Sequence, residues 1–336
     1  MADEEANKAA FIENLQTLGW SPLVIPKAPF VAPSQEKILA IFRRRRQLQE
    51  GNNDNADVTF IASESGSSEG TIEPKESLEV QLSKCSNTVH EIDSDETIVK
   101  SWCKALSWIA HKVCEELLDL PTNAFLPSDD TDSLDLLRVF HYYAVPSANL
   151  TLGSSEHTDW GSLTVVWQDS VGGLQTYCRK RQTWIDVKPV EPDETKDDHC
   201  WRCIVHVGDM ASLVLDDSKT QSSSKELTPK KVSHPWPSPR HRVKSHRDKE
   251  RVSLVYFGYP PRGVSLGEIQ NRLDEGWQHS STRGQKLPLS EYFLLRNQSS
   301  GASEQDRESE ASRLYQTMWN LPIEDIVRLK WEQVSR

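Results

Sequence analysis

The sequence has no long apolar run and no surplus of positive charge. No stretch of its 336 residues is apolar for long enough to cross a bilayer, and the opening MADEEANKAA is acidic, unlike the apolar leader of a secreted protein. Lys and Arg number 39 against 50 Asp and Glu, for a formal net charge of -11. Because phosphate backbones and acidic lipids attract basic proteins, this balance disfavours both as partners. We therefore expect a cytoplasmic protein with no membrane partner.

Cysteine pairs and basic clusters are also few, and neither indicates a function. The one CxxC motif, Cys200 and Cys203, lacks the second pair that a zinc site needs. The six cysteines show no disulfide framework, which is typical of a reducing compartment. The run Arg43–Arg46 resembles a nuclear import signal, but it lies among apolar residues of a predicted helix and is interpreted as a solvated face.

Apolar periodicity predicts helices towards both ends of the chain. Residues 10–19 and 34–50 each carry an apolar stripe, and residues 95–118 repeat apolar side chains at steps of three and four. Near the other end, residues 313–334 predict one or two helices around Pro322.

Short β-rich runs fill the middle of the chain. They occupy residues 136–145, 162–168, 174–178, 184–189, 203–215 and 251–259, with a further short strand at 58–61. Many short strands separated by turn residues are typical of a β-sandwich or barrel. With helices at both ends, the predicted fold class is mixed α+β.

The same patterns suggest three regions. Residues 1–135 form a helical region that packs on the core, residues 136–262 form the core, and residues 263–336 form a second helical region. Residues 216–239 are rich in Ser, Lys and Pro and interrupt the β-rich runs. We predict that they are an insertion between two strands.

His157 and Asp159 lie two positions apart beside a predicted strand. Residues i and i+2 of an extended segment share a face, so an imidazole and a carboxylate can converge on one point. A third ligand would complete a facial triad, which leaves three positions of an octahedral Fe(II) ion open. Taken alone, such a short motif is more often a turn with a surface histidine.

The segment 239–259 offers that third ligand and a carboxylate clamp. His241 is predicted to begin a short strand, and after a polar turn Arg251 begins the returning strand. Arg251 and Ser253 share one face of that strand by its two-residue period. A buried guanidinium needs an anionic partner, and its planar fork suits a carboxylate. His234 and His246 are rival ligands, but they fall in the Pro-rich insertion and in the turn.

The segment 137–262 resembles the core of the 2-oxoglutarate/iron(II) dioxygenases, and most of all the plant and fungal branch that includes isopenicillin N synthase. The motifs that carry the resemblance occur in order as RVFHYY, LTLGSSEHTDWGSLTVVWQD, VGGLQTY, IVHVGDM, HRV and ERVSLVYFGYP. The resemblance implies a double-stranded β-helix, or jelly roll, flanked by N- and C-terminal helices.

The resemblance also implies a role for six residues and a set of small molecules. The residues are His157, Asp159 and His241 as Fe(II) ligands, and Arg251, Ser253 and Tyr143 as contacts of 2-oxoglutarate. The implied co-substrates are 2-oxoglutarate and O2, with ascorbate as an accessory reductant. A small organic substrate is implied as partner, and a monomer is favoured.

Several positions depart from the family pattern. His141 stands where the family often has Asn, and the interval of 84 positions from His157 to His241 is longer than usual. Most of the excess falls in residues 216–239. The apolar strand motif that usually opens the family is not found. His206 is interpreted as a core histidine that hydrogen-bonds within the strand.

These observations favour an Fe(II)- and 2-oxoglutarate-dependent dioxygenase that hydroxylates or desaturates a small molecule. Two alternatives on the same fold stay open. One is an oxidase that does not consume 2-oxoglutarate, in which Arg251 and Ser253 hold a substrate carboxylate. The other is a binding protein without catalysis.

Overall fold

The fold was derived from a computed structural model. The structure describes residues 2–49, 57–62, 64–65, 72–85, 94–120, 122–146, 151–178, 180–189, 199–215, 236–276 and 319–334. Most of the predicted insertion, residues 216–235, lies outside these ranges, as does the stretch 277–318.

The larger sheet has seven antiparallel strands. Side by side they are β1 (Trp20–Ile25), β11 (Trp201–Val207), β8 (Leu163–Gln168), β13 (Arg251–Gly258), β6 (Leu136–Tyr142), β5 (Lys75–Gln81) and β2 (Thr59–Ile61). The centre of this sheet, β8, β13 and β6, comes from the β-rich part of the sequence.

A smaller sheet faces the larger one. Its four strands are β10 (Thr183–Asp186), β9 (Leu174–Cys178), β12 (His241–Lys244) and β7 (Leu152–His157), and a short pair, β3 (Glu64–Ser65) and β4 (Ile72–Glu73), lies apart. Phe140 and Ile204 of the larger sheet pack with Leu174 and Val243 of the smaller one in a buried apolar cluster. Two sheets packed on a shared apolar layer confirm the predicted mixed α+β jelly roll.

Helices cover the outer face of the larger sheet. They are α1 (Ala2–Leu18), α2 (Gln35–Gln49), α3 (Asp95–Lys112), α4 (Thr122–Phe125), α5 (Asp209–Val214), α6 (Leu266–Gly276) and α7 (Ile323–Val334). Helix α3 begins where the Ser94 hydroxyl accepts a hydrogen bond from the Thr97 amide at 3.1 Å. Its apolar face, including Leu106 and Ile109, is fully buried in the main core. None of the described helices is long and apolar enough to cross a membrane.

Strand alternation decides which side chains reach the space between the sheets. On β13, Val252 and Leu254 belong to the main core under the helices. Arg251 and Ser253 therefore lie on the opposite, inner face, since successive side chains of a strand point to opposite sides. This confirms the predicted face of β13.

The structure corrects one prediction made from local pattern and adds two strands that the pattern did not indicate. The run 203–215 is not one strand, because β11 ends at Val207 and helix α5 follows from Asp209. Strand β1 was missed although it pairs along its length with β11. Strand β5 was missed because its sequence KESLEVQ is polar, and only its pairing between β2 and β6 makes it a strand.

The N-terminal region is not purely helical. Strands β1, β2 and β5 all precede residue 135 and all belong to the larger sheet. The division of the chain near residue 135 stays a prediction, and so does the outer limit of the C-terminal region.

Candidate metal centre

His157, Asp159 and His241 meet at one end of the space between the sheets. His157 ends β7 and His241 begins β12, and the two residues are paired across these strands. Oδ1 of Asp159 lies 3.7 Å from Nε2 of His157 and 3.6 Å from Nε2 of His241. One donor atom from each residue lies within 4.8 Å of the others, which is the spacing of a group able to hold a metal ion.

Backbone carbonyls fix the orientation of both histidine rings. Nδ1 of His157 lies 2.7 Å from the Ser155 carbonyl oxygen, and Nδ1 of His241 lies 3.0 Å from the Pro239 carbonyl oxygen. A carbonyl can only accept, so each Nδ1 carries the hydrogen and each Nε2 keeps its lone pair. Metal-binding histidines are commonly oriented in this way.

The local electrostatics keep the carboxylate charged and the imidazoles neutral. Burial opposes the charge of Asp159, but the nearby His241 and His206 hold the pKa of Asp159 well below its usual range. Desolvation and the neighbouring His241 lower the pKa of His157, although 42% of its side chain is exposed and solvent weakens this effect. Desolvation also lowers the pKa of His241. Metal ligands must be deprotonated, so these shifts suit a cation.

The turn that carries Asp159 is hydrogen-bonded to the junction of β11 and α5. The Asp209 amide donates to the Asp159 carbonyl at 2.7 Å, and the Gly208 amide donates to the Ser162 carbonyl at 2.9 Å. A Cβ atom at Gly208 would lie 1.9 Å from the Gly161 carbonyl oxygen, so a side chain there would separate the two segments. Glycine at this position allows the close approach of the two backbones.

His206 is a site residue that sequence reasoning missed. It is fully buried on β11, and its Nδ1 lies 3.5 Å from Oδ2 of Asp159. Its ring centroid is 4.8 Å from that of His241. The sequence signal that could have indicated its role is its position in HVGD, two residues before Gly208, which contacts the Asp159 turn.

Arg251 is a buried cation that faces the same space. Only 2% of the residue is exposed, and its guanidinium donates to the Ser253 hydroxyl and to Oε1 of Gln168, each at 3.0 Å. No carboxylate of the described residues lies within 4.0 Å of it, and its Nε has no hydrogen-bond partner there. The nearby Asp169 accepts from the backbone amides of Val252 and Val171. Arg251 can therefore bind an external carboxylate.

The tyrosine whose ring lies beside Arg251 is Tyr142, and the expected contact of Tyr143 with 2-oxoglutarate stays a prediction. The guanidinium carbon of Arg251 lies 4.8 Å from the centroid of the Tyr142 ring. Tyr143 lies on the opposite face of the segment, where burial and a hydrogen bond to Glu76 raise its pKa to about 12. The His141 ring is its neighbour, at 4.8 Å between centroids. The HYY motif offered two adjacent tyrosines, and the register of β6 places them on opposite faces.

Two other histidines of the described residues, His141 and His246, lie away from the cluster. Nδ1 of His141 is 2.7 Å from Oε1 of Glu76, under helix α2. His246 is exposed in the turn after β12, where it accepts a hydrogen bond from the Asp248 amide. His234 lies outside the described residues.

A cavity of about 610 Å³ lies between the larger sheet and helix α7, and none of the three candidate ligands is among its lining residues. Its walls include Glu79 and Leu136 of the larger sheet, Tyr259, and residues of helix α7. The Tyr259 ring packs against Gly161, two residues after Asp159. Burial, followed by the charges of Asp159 and Asp135, raises the pKa of Tyr259 above its ordinary value.

Comparisons with known proteins support the same interpretation of the core. Residues 134–260 match the model of the 2OG-Fe(II) oxygenase superfamily. A proline hydroxylase of Petromyces alliaceus is 30% identical over 167 residues, covering 49% of this chain and 46% of that protein. A 2-oxoglutarate-dependent dioxygenase of a Dothideomycetidae species is 34% identical over 168 residues, covering 47% and 44%. The chain thus spans less than half the length of each of these relatives.

Solved structures with low identity share the fold. A full-length Neurospora crassa protein in complex with alpha-KG has a TM-score of 0.53 at 17% identity, covering 83% of this chain and 87% of that one. The dioxygenase for auxin oxidation 1 of Arabidopsis thaliana also scores 0.53 at 17% identity, covering 76% and 89%. Through residues 134–260, the chain is similar to the 2OG-Fe(II) oxygenase superfamily.

Proposed function

We propose that this protein is an Fe(II)- and 2-oxoglutarate-dependent dioxygenase that hydroxylates or desaturates a small organic molecule. The observation that carries the proposal is the pairing of two features between the same two sheets. One is the convergence of His157, Asp159 and His241, and the other is the buried Arg251 without a carboxylate partner among the described residues.

The three candidate ligands fit Fe(II) by their chemistry. Two neutral imidazoles and one carboxylate on one side of an ion are the donor set of non-haem Fe(II) oxygenases. The His157 side chain is 42% exposed, so the cluster is open to small molecules on that side. Iron held there would supply the reactivity towards O2 that no protein side chain offers.

Arg251 and Ser253 would grip the far carboxylate of 2-oxoglutarate. The alkyl part of Arg251 passes 3.9 Å from the position of a Cβ at Gly173, so the side chain crosses towards the smaller sheet. Its Nε is the unpaired donor, and the Ser253 hydroxyl lies beside Nη1. Nη2 of Arg251 donates to Oε1 of Gln168, and this hydrogen bond fixes the plane of the guanidinium group before a ligand binds.

The substrate would occupy the cavity that Tyr259 and helix α7 line. A volume of about 610 Å³ lies within the usual range of small-molecule sites. Its wall combines apolar and charged side chains, and Tyr259 separates it from the Asp159 turn. This arrangement would place a substrate near the metal without a bond to it. A small-molecule substrate and a monomeric protein remain part of the proposal.

An anaerobic titration of Fe(II)-loaded protein with 2-oxoglutarate tests the proposal. A keto acid that binds Fe(II) through two oxygens gives a weak visible charge-transfer band, which we expect in the parent. The band should vanish in His241→Ala and persist in His246→Ala, because the second histidine lies in an exposed turn. Iron binding without a band would favour an oxidase that does not consume 2-oxoglutarate. Failure to bind iron would favour a binding protein without catalysis.

A further inference from the structure

His206 and Asp159 present two buried polar atoms to each other. Nδ1 of His206 and Oδ2 of Asp159 are 3.5 Å apart, slightly beyond the usual range of hydrogen-bond distances. Neither atom has a hydrogen-bond partner among the described residues, and the histidine is fully buried. Leaving two such atoms unpaired in the interior would be unfavourable, so each is the natural partner of the other.

We propose that His206 is a positioning residue that orients the Asp159 carboxylate for metal binding. With Nδ1–H directed at Oδ2, the carboxylate cannot turn freely about its last bond. Oδ1 is then the oxygen that faces Nε2 of both His157 and His241, at 3.7 and 3.6 Å. This proposal rests on the proposed metal site and adds a residue to it.

His206 is not a fourth ligand of the cluster. The group of donor atoms within 4.8 Å of one another includes His157, Asp159 and His241 but not His206. His206 approaches the oxygen of Asp159 other than the one nearest the two histidines. It therefore lies behind the carboxylate, and its effect on a metal ion would pass through Asp159.

The matched variants His206→Asn and His206→Gln separate positioning from packing. The amide nitrogen of Asn can occupy the place of Nδ1, whereas that of Gln extends to the place of Nε2. The probe is Co²⁺ alone, titrated into metal-free protein and followed by its visible absorption. We expect His206→Asn to bind Co²⁺ nearly as the parent does. His206→Gln should bind about 10–100-fold more weakly, the usual loss when an outer partner of a metal ligand is removed.

The same substitutions at His141 provide the control. This histidine is also buried on a strand and also faces a carboxylate, Glu76, but on the other side of the sheet. Thermal unfolding of the metal-free proteins reports packing losses at both positions, and Co²⁺ affinity should be unchanged in both His141 variants. If the parent binds Co²⁺ but the two His206 variants bind it equally, the role of His206 is wrong. If the parent does not bind Co²⁺, the metal site itself is wrong.

Discussion

Asp159 is the one carboxylate in the three-residue cluster, and it supplies the negative charge that two neutral imidazoles lack. Asp159→Ala should therefore weaken metal binding by more than about 10-fold, since losing even a residue that only hydrogen-bonds a metal ligand costs that much. Turnover should be lost with the metal. Anaerobic equilibrium dialysis with Fe(II) measures the first effect. His246→Ala is the control and should bind iron as the parent does. An Asp159→Ala protein that stays loaded and active would exclude Asp159 as a ligand.

Substitutions of the single residue Arg251 test the proposed 2-oxoglutarate site. Arg251→Ala should weaken 2-oxoglutarate binding by about 3–5 kcal/mol, the range for breaking a buried ion pair. Arg251→Lys should recover part of this loss, because an ammonium keeps the charge but not the planar fork. Binding is measured by anaerobic titration of the metal-loaded protein. Equal 2-oxoglutarate affinity in parent and Arg251→Ala would show that Arg251 does not bind the 2-oxoglutarate carboxylate.

Two neighbouring tyrosines at the end of β6 lie on opposite faces of the strand segment, so their substitution should have different effects. Tyr142→Phe should weaken 2-oxoglutarate binding by about 0.5–1.5 kcal/mol if its hydroxyl contacts the ligand. Tyr143→Phe should leave the affinity unchanged, because Tyr143 bonds Glu76 on the far side. The same titration measures both variants. The reverse result would mean that β6 is shifted by one residue.

The start of β5 is joined to β7 by a buried ion pair. Nζ of Lys75 lies 2.7 Å from Oε2 of Glu73 and donates to the Ser154 hydroxyl at 3.1 Å. Oε1 of Glu73 accepts from the Ser155 amide at 2.5 Å, two residues before His157. The pair thus helps to hold the strand that carries the first candidate ligand.

Removing one partner of this pair should cost more than removing both. Glu73→Ala should lower the free energy of unfolding by about 3–5 kcal/mol, since Lys75 is left charged and buried. The double variant Glu73→Leu, Lys75→Met should recover much of that loss, because apolar side chains need no partner. Urea unfolding of the metal-free proteins provides the comparison. Equal losses in the two variants would show that the pair contributes little.

Elements with a strong period could be predicted from the sequence, and those that depend on neighbours could not. Helix α3 and strand β13 follow from their own apolar pattern. Strand β5 is polar and becomes a strand through pairing on both sides. His241 and Arg251 could be proposed as site residues because their residue types and spacing resemble those of a known family. The role of His206 could not, because it depends on which turn packs against β11.

For the molecule as a whole, Asp135 makes stability depend on pH. It is fully buried beneath β13, where it accepts from the Tyr256 hydroxyl at 2.5 Å and the Tyr259 amide at 2.7 Å. Burial outweighs these bonds and raises the pKa of Asp135 from 3.8 to about 7. A raised pKa means that folding favours the protonated acid. The stabilising contribution is therefore complete below the unfolded pKa and is lost as pH rises through about 7.

Asp135→Asn should remove this dependence. Because one pKa unit corresponds to about 1.4 kcal/mol, the free energy of unfolding of the parent relative to Asp135→Asn should fall by on the order of 4 kcal/mol between pH 4 and 8. Urea unfolding of the metal-free proteins at several pH values gives the difference. A difference that stays constant with pH would show that Asp135 does not titrate in this window.

The two histidines of the cluster are separated by 84 positions, and the pairing of β12 with β7 between them contains register shifts. An ion bound to both would act as a crosslink across a long loop, placed where the backbone ladder is least regular. Such a crosslink reduces the chain entropy of the unfolded state, and it stabilises the fold increasingly as the free metal concentration rises. The persistence of the folded chain would then depend on the metal supply of its surroundings as well as on its sequence.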